Sequence, residues 1–92
     1  MTKLSKQNTE ILNVLRKAAR CQKKVKVKYS MAYSKKVITR VIAPYSFDAV
    51  QGLVWVWDFS TYRGLKSFYL EGILSAEILT ESFRPKFTVE LG

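Results

Sequence analysis

The spacing of apolar residues changes once along this chain, near residue 22. Before that point, apolar residues recur at the i, i+3, i+4 and i+7 spacing of one helix face: Ile11, Val14, Leu15 and Ala18. This pattern predicts a helix over about residues 8–22. We expect Asn8 or Thr9 to cap its start, because short polar side chains accept hydrogen bonds from free helical N–H groups. Cys21, at its end, is expected to be a small buried hydrophobe.

From residue 23 onward the pattern alternates with a period of two, which is typical of strands. In KKVKVKYS the valines and Tyr29 face one way and the lysines face the other. β-Branched and aromatic runs predict four further strands, at 36–43, 53–59, 66–70 and 73–80. Turns are expected at 30–35 and 60–64. Pro44 is expected to end or kink the second strand because proline has no N–H for the ladder, leaving 45–52 as a connection.

One helix followed by five short strands predicts a mainly β fold with an N-terminal helix. We expect a small five-stranded antiparallel barrel of the SH3-like or Sm-like kind, since a curled sheet exposes fewer unpaired edges. The 92 residues are predicted to form a single domain. The barrel would span about 24–83, and 84–92 would be a tail or a short extra strand.

Composition argues against several classes of function. The chain has no histidine and one cysteine, and it has no glycine-rich phosphate loop. These absences remove the commonest general base, the usual zinc clusters and a Cys–His nucleophile, so we expect no enzyme activity, no metal and no cofactor. No apolar run is long enough to cross a bilayer and the start lacks a secretory signal, which predicts a cytoplasmic protein without a membrane partner.

Positive charge is concentrated in the first half of the chain. The net charge is +9; twelve basic residues and one acidic residue precede Phe47, whereas four basic and six acidic residues follow from there. Such polarity produces a one-sided field that attracts polyanions. The alternative is a lysine-rich surface that serves solubility.

The first predicted strand carries a lysine row, defined as Lys24, Lys26 and Lys28. Alternate strand positions lie about 6.5–7 Å apart. That spacing is comparable to the separation of successive phosphates, so the row is a candidate contact for a nucleic-acid backbone. The alternative is protection of a sheet edge, because lysines discourage pairing between sheets.

The third predicted strand places Trp55 and Trp57 on one face and valines on the other. Three interpretations stay open. The tryptophans stack on the bases of a nucleic acid, they form a protein or oligomer interface, or they point inward and belong to the core. Periodicity does not separate these, because both faces are apolar.

Several strings resemble the WYL domain family over residues 11–83. They are VKVKYS, TRVIAPYSF, GLVWVWD (where the family has W-Y-L-V-A-Y-D), KSFYLEGI (R-T-F-R-L-D-R-I) and SAEIL. The tripeptide that names the family reads GLV here, at 52–54. Where the family has arginine, this chain has Lys66, Tyr69 and Gly72. The resemblance implies a small Sm-like or SH3-like barrel of bacterial or phage proteins, often in transcription regulators or beside defence proteins, that binds nucleic acids or nucleotides.

A second group of candidate ligand contacts combines basic and aromatic side chains: Arg40, Tyr45, Arg63, Lys66 and Tyr69. Arg40 interrupts an apolar strand, where burial would require a partner for its charge. The arginine and lysine side chains can clamp a phosphate. The alternative is an ordinary rim residue, with Asp58 or Glu71 paired to an arginine in a structural ion pair.

Taken together, the sequence predicts a non-catalytic regulatory binding module. Its expected partner is nucleic acid, preferably single-stranded, or a nucleotide-like anionic ligand. The alternative is a protein–protein or homodimerisation module that meets a second copy or an acidic protein partner.

Overall fold

A computed structural model describes residues 5–31, 35–60 and 63–91. These residues form α1 (Lys6–Cys21), β1 (Lys23–Ser30), β2 (Val37–Asp48), β3 (Leu53–Asp58), β4 (Gly64–Tyr69), the 3-10 turn Leu70–Gly72 and β5 (Ile73–Ser82). The predicted class, mainly β with an N-terminal helix and five antiparallel strands, is confirmed. Positions 32–34 and 61–62 of the two predicted turns lie outside the described residues. No helix in the described ranges is both long and apolar enough to span a bilayer.

The five strands form one antiparallel sheet in the order β4-β3-β2-β1-β5. Its two edges, β4 and β5, are neighbours in sequence and are joined by only the 3-10 turn Leu70–Gly72. The sheet therefore curls. Tyr29 on β1 and Phe68 on β4 stack with ring centroids 4.7 Å apart, although two strands separate them in the sheet. The Tyr29 hydroxyl also accepts a hydrogen bond from the Tyr69 N–H at 3.4 Å.

Gly72 makes this close approach possible. A Cβ at this position would lie 2.6 Å from a ring carbon of Tyr29. The ring has little room to move aside because it is stacked on Phe68. A side chain at position 72 would therefore have to displace the Tyr29 ring, at a cost in packing.

The helix starts two residues before the predicted boundary, because Ser5 is its cap in place of Asn8 or Thr9. The Ser5 Oγ accepts a hydrogen bond from the Asn8 N–H at 3.0 Å. The buried face of α1 consists of Ile11, Leu12, Leu15, Ala18 and Ala19. Cys21 is exposed, so the prediction that it is buried is wrong. At 3.6 residues per turn it lies ~120° around the helix from Leu15, which is the centre of the buried face.

β2 continues through Pro44, so of the two expected outcomes the end of the strand at residue 43 is wrong and an irregularity at the proline is found. The pairing of β2 with β1 stops at Ile42, and the register with β3 shifts between Pro44 and Ser46. A bulge of this kind tolerates proline because its missing N–H removes no ladder bond. The connection to β3 is consequently only 49–52, and it closes at Gly52 with φ of 70°.

The curled sheet has two faces with separate cores. We call the face shared by Val25, Val27, Val54 and Val56 the inner face; all four valines are fully buried there beneath α1. The opposite face is the outer face. Part of it is covered by residues 83–91, which form no strand and so correspond to the predicted tail. Phe83 and Leu91, at the two ends of this tail, are buried. The Tyr45 carbonyl accepts hydrogen bonds from the N–H groups of Glu90 and Leu91, both at 2.8 Å.

Candidate functional site

The two tryptophans lie on the outer face, because the valines of β3 are fully buried on the inner one. Trp57 is half-buried under the tail, where its ring centroid lies 6.2 Å from that of Phe87 and 4.9 Å from Lys86 Nζ. Trp55 is 38% exposed. The main core therefore contains neither tryptophan. Trp57 belongs to the smaller outer cluster, and Trp55 presents a ring face to solvent.

The lysine row lies on an interior strand of the sheet. β1 is hydrogen-bonded to β2 on one side and to β5 on the other. The alternative that these lysines protect a sheet edge is therefore wrong, since the edges are β4 and β5. Lys26 and Lys28 are exposed on the outer face, and Lys24 is half-buried.

β5 places carboxylates beside two of these three lysines. Lys24 Nζ lies 3.4 Å from Glu81 Oε2. Lys26 is directly opposite Glu77 in the β1–β5 register, so their side chains emerge on the same face. Lys28 is opposite a serine and forms no ion pair with any described residue. In the lysine row, one of the three charges is thus paired, and a second has a carboxylate directly opposite it in the register.

A second basic group lies at the rim of the inner face, near the start of β2, the end of β3 and the start of β4. Lys66 Nζ donates a hydrogen bond to Asp58 Oδ2 at 2.8 Å, and Arg40 Nε lies 3.6 Å from the same oxygen. The other oxygen, Oδ1, accepts the Ser60 N–H at 2.7 Å. We call these residues the rim cluster (Arg40, Asp58 and Lys66). The expected ion pair between Asp58 and an arginine is present; it uses Arg40.

The Asp58 carboxylate stays ionised although it is fully buried. Burial by itself raises its pKa, but the hydrogen bonds from Lys66 and Ser60 outweigh burial and hold the pKa below its ordinary value of 3.8. Two cations thus share one anion, and the rim cluster carries a net charge of about +1. The Arg40 and Lys66 side chains remain 31% and 34% exposed, so N–H donors remain for a ligand anion such as a phosphate oxygen.

The remaining predicted contacts lie apart from the rim cluster. Tyr45 is buried against Phe83 in the outer cluster, and its hydroxyl accepts the Lys86 N–H at 3.0 Å, so its ring is closed to a ligand. Tyr69 is 51% exposed on the outer face. Arg63 is exposed and has no ion pair within the described part of the chain. The predicted residues are therefore divided between the two faces and do not form a single pocket.

An exposed apolar patch lies at the β4 edge of the outer face. It contains Trp55, Leu65 and Tyr69, of which Leu65 is 49% exposed. β4 pairs only with β3, so the other side of its backbone has no strand partner among the described residues. Sequence patterns indicated Trp55 and Tyr69 separately but missed Leu65 and the position of the patch at an edge, because the strand order places β4 at the edge.

The fold, but not the sequence, is found in a solved structure. The sequence matches no protein-family model and no curated protein. The structure is similar to proteasome accessory factor B/C (PafBC) of Arthrobacter aurescens, with a TM-score of 0.74 and 13% sequence identity. The match covers 98% of this chain and 15% of the PafBC chain. At this identity the likeness shows a shared fold, and this chain spans a small part of the length of PafBC.

Proposed function

We propose that this chain is a non-catalytic regulatory binding module that contacts nucleic acid, preferably single-stranded, or a nucleotide-like anionic ligand. The observation that carries the proposal is a set of exposed cations that have no acidic partner among the described residues. In the described ranges, Lys26, Lys28 and Arg63 are exposed and form no ion pair, and the same holds for Arg16, Lys17 and Arg20 on α1. These six cations supply a field that attracts a polyanion.

Each group of side chains has a distinct part in this proposal. Lys28, with Lys26 beside it, contacts the sugar–phosphate backbone. Arg40 and Lys66 hold one phosphate at the rim. Trp55 and Tyr69 offer ring faces on which bases stack, a contact worth about 1–3 kcal/mol per base in other single-strand binders. The resemblance to the WYL family supports a regulatory role in transcription or phage defence, and the PafBC-like fold is compatible with the small β fold that this resemblance implies.

A salt titration tests this proposal. Binding of labelled single-stranded DNA, duplex DNA and RNA would be followed by fluorescence anisotropy between about 50 and 200 mM salt, where phosphate contacts are lost steeply. We expect the affinity to fall with salt by a constant slope on logarithmic axes, with the single strand bound best. Binding that is flat across this range would contradict the proposal, because affinity would then not come from phosphates.

The exposed patch of Trp55, Leu65 and Tyr69 favours a second candidate, a protein–protein or homodimer contact at the β4 edge. Size-exclusion chromatography at several concentrations tests it. A concentration-dependent dimer that becomes monomeric in Leu65→Ser supports this function. Monomeric behaviour of the wild type at every concentration would contradict the homodimer.

A further inference from the structure

The C-terminal half of α1 carries three cations that point away from the core. Arg16, Lys17 and Arg20 are all exposed, and we call them the helix basic face. None of the three forms an ion pair with any residue in the described ranges. Arg16 and Arg20 are one turn apart, about 6 Å along the helix axis, so both guanidinium groups emerge on the same side.

Acidic groups near this face are few and do not pair with it. The acidic residue of α1, Glu10, precedes Arg16 by six residues, about 9 Å along the axis. Glu90 lies across a hollow from Arg16 and Arg20 but is not within ion-pair distance of either. The helix C-terminus contributes about half a negative charge, which leaves most of the three positive charges uncompensated.

The lysine row has the same number of positive charges as the helix basic face, but acidic residues lie beside two of its three lysines. Its Lys24 is paired with Glu81, and its Lys26 is directly opposite Glu77. Of these two groups, the helix basic face therefore has the less compensated charge, although the alternation of lysines in the sequence points to β1. A backbone phosphate is attracted more strongly where no carboxylate repels it.

The surface around the helix basic face offers further hydrogen-bonding groups. One shallow hollow is lined by the three cations together with Asn13 and Cys21. A second, between α1 and the tail, is lined in part by Arg16, Arg20 and Ser46. Neutral amide and hydroxyl groups beside arginines are a common composition for contacts to phosphate oxygens.

We propose that the helix basic face, and not the lysine row, is the principal surface on which this protein binds the phosphate backbone of a nucleic acid. This inference rests on the proposed function and identifies the surface that performs it. The contacts are to phosphates, so they position the strand and carry no base specificity.

Two variants with the same change in charge test the inference. The first is Arg16→Gln/Lys17→Gln/Arg20→Gln, and the second changes the three lysines of the lysine row to glutamine. The probe is a fluorescein-labelled oligothymidylate, titrated from about 50 to 200 mM salt. We expect the helix variant to bind at least about ten-fold more weakly at the lowest salt, with the logarithmic salt slope reduced by about 2, or roughly 0.7 per lost contact. The lysine-row variant should lose less than about three-fold because its charges are already partly compensated.

The possible results separate the inference from the proposed function. A loss in the lysine-row variant that equals or exceeds that of the helix variant overturns the inference and leaves the proposed function standing. Wild-type protein that does not bind the probe even at low salt overturns the inference together with single-strand binding in the proposed function. Circular dichroism checks folding. If the triple helix variant is unfolded, Lys17→Gln alone should still reduce the slope by about 0.7, and an unchanged slope overturns the inference. Arg16→Lys/Arg20→Lys keeps the charge and should retain the wild-type slope; a reduced slope would contradict charge-based contact.

Discussion

Replacing Asp58 by asparagine removes the one anion of the rim cluster. In the native protein its Oδ2 lies 2.8 Å from Lys66 Nζ and 3.6 Å from Arg40 Nε, and its Oδ1 accepts the Ser60 N–H. Asparagine keeps an oxygen for Ser60 but turns its NH2 group toward Lys66. A donor then meets a donor, and both cations lose their counter-charge.

The expected loss of stability follows from burial. Removing one partner of a fully buried ion pair costs about 3–5 kcal/mol. Asp58 is fully buried, but about a third of each cation's side chain is exposed, so water solvates the cations after the change. A single hydrogen bond to a charged group contributes about 1.5–3 kcal/mol. We therefore expect Asp58→Asn to lower the free energy of unfolding by about 2–3 kcal/mol, a large part of the ~5–15 kcal/mol typical of a domain.

The effect should depend on pH in a defined direction. The pKa of Asp58 in the folded protein is below its ordinary value of 3.8, because hydrogen bonds from Lys66 and Ser60 outweigh the effect of burial. The unfolded chain therefore binds this proton at a higher pH than the folded protein does. The stabilisation is complete above the ordinary value and is lost as pH falls through the folded pKa. The difference between wild type and Asp58→Asn should shrink as the pH falls from about 5 to about 2.

Urea unfolding followed by tryptophan fluorescence measures both effects. Glu77→Gln is the matched control, because it also neutralises one carboxylate but at an exposed position, and it should cost less than about 0.5 kcal/mol. A loss below about 1 kcal/mol for Asp58→Asn at neutral pH would refute the reasoning, since a buried charged hydrogen bond is worth more than that. A difference that stays constant between the two pH limits would refute the pH argument.

Three further changes test the packing. Gly72→Ala should lower the free energy of unfolding by about 1–3 kcal/mol, because its Cβ meets the Tyr29 ring; urea unfolding measures this, and wild-type stability would mean that the ring moves aside freely. Cys21 should react with a thiol reagent in the native protein without prior unfolding, whereas protection from the reagent would contradict its exposure. Phe87→Ala should shift the tryptophan emission to longer wavelength by uncovering Trp57, and an unchanged spectrum would contradict the contact between the two rings.

The local spacing of apolar and polar residues was enough to predict the helix and the strands of this protein. The period of 3.6 identified α1, and the period of two placed Val25 and Val27 in the core with the lysines opposite them, because side-chain direction depends only on position within an element. Arg40 in an apolar strand indicated an ion pair, since a charge there requires a partner. The helix cap and the continuation of β2 through Pro44 were missed, because each depends on contacts beyond the immediate pattern.

Tertiary structure decided what surrounds each side chain. Pairing of β1 with β5 brings Glu77 and Glu81 to the lysine row from about fifty residues away in the chain, and that pairing makes β1 an interior strand. The sequence did not decide which way Trp55 points, because both faces of β3 are apolar. The packing of the β3 valines beneath α1 decides it. Strand order and register are fixed by long-range packing, whereas a periodic pattern carries information about one element at a time.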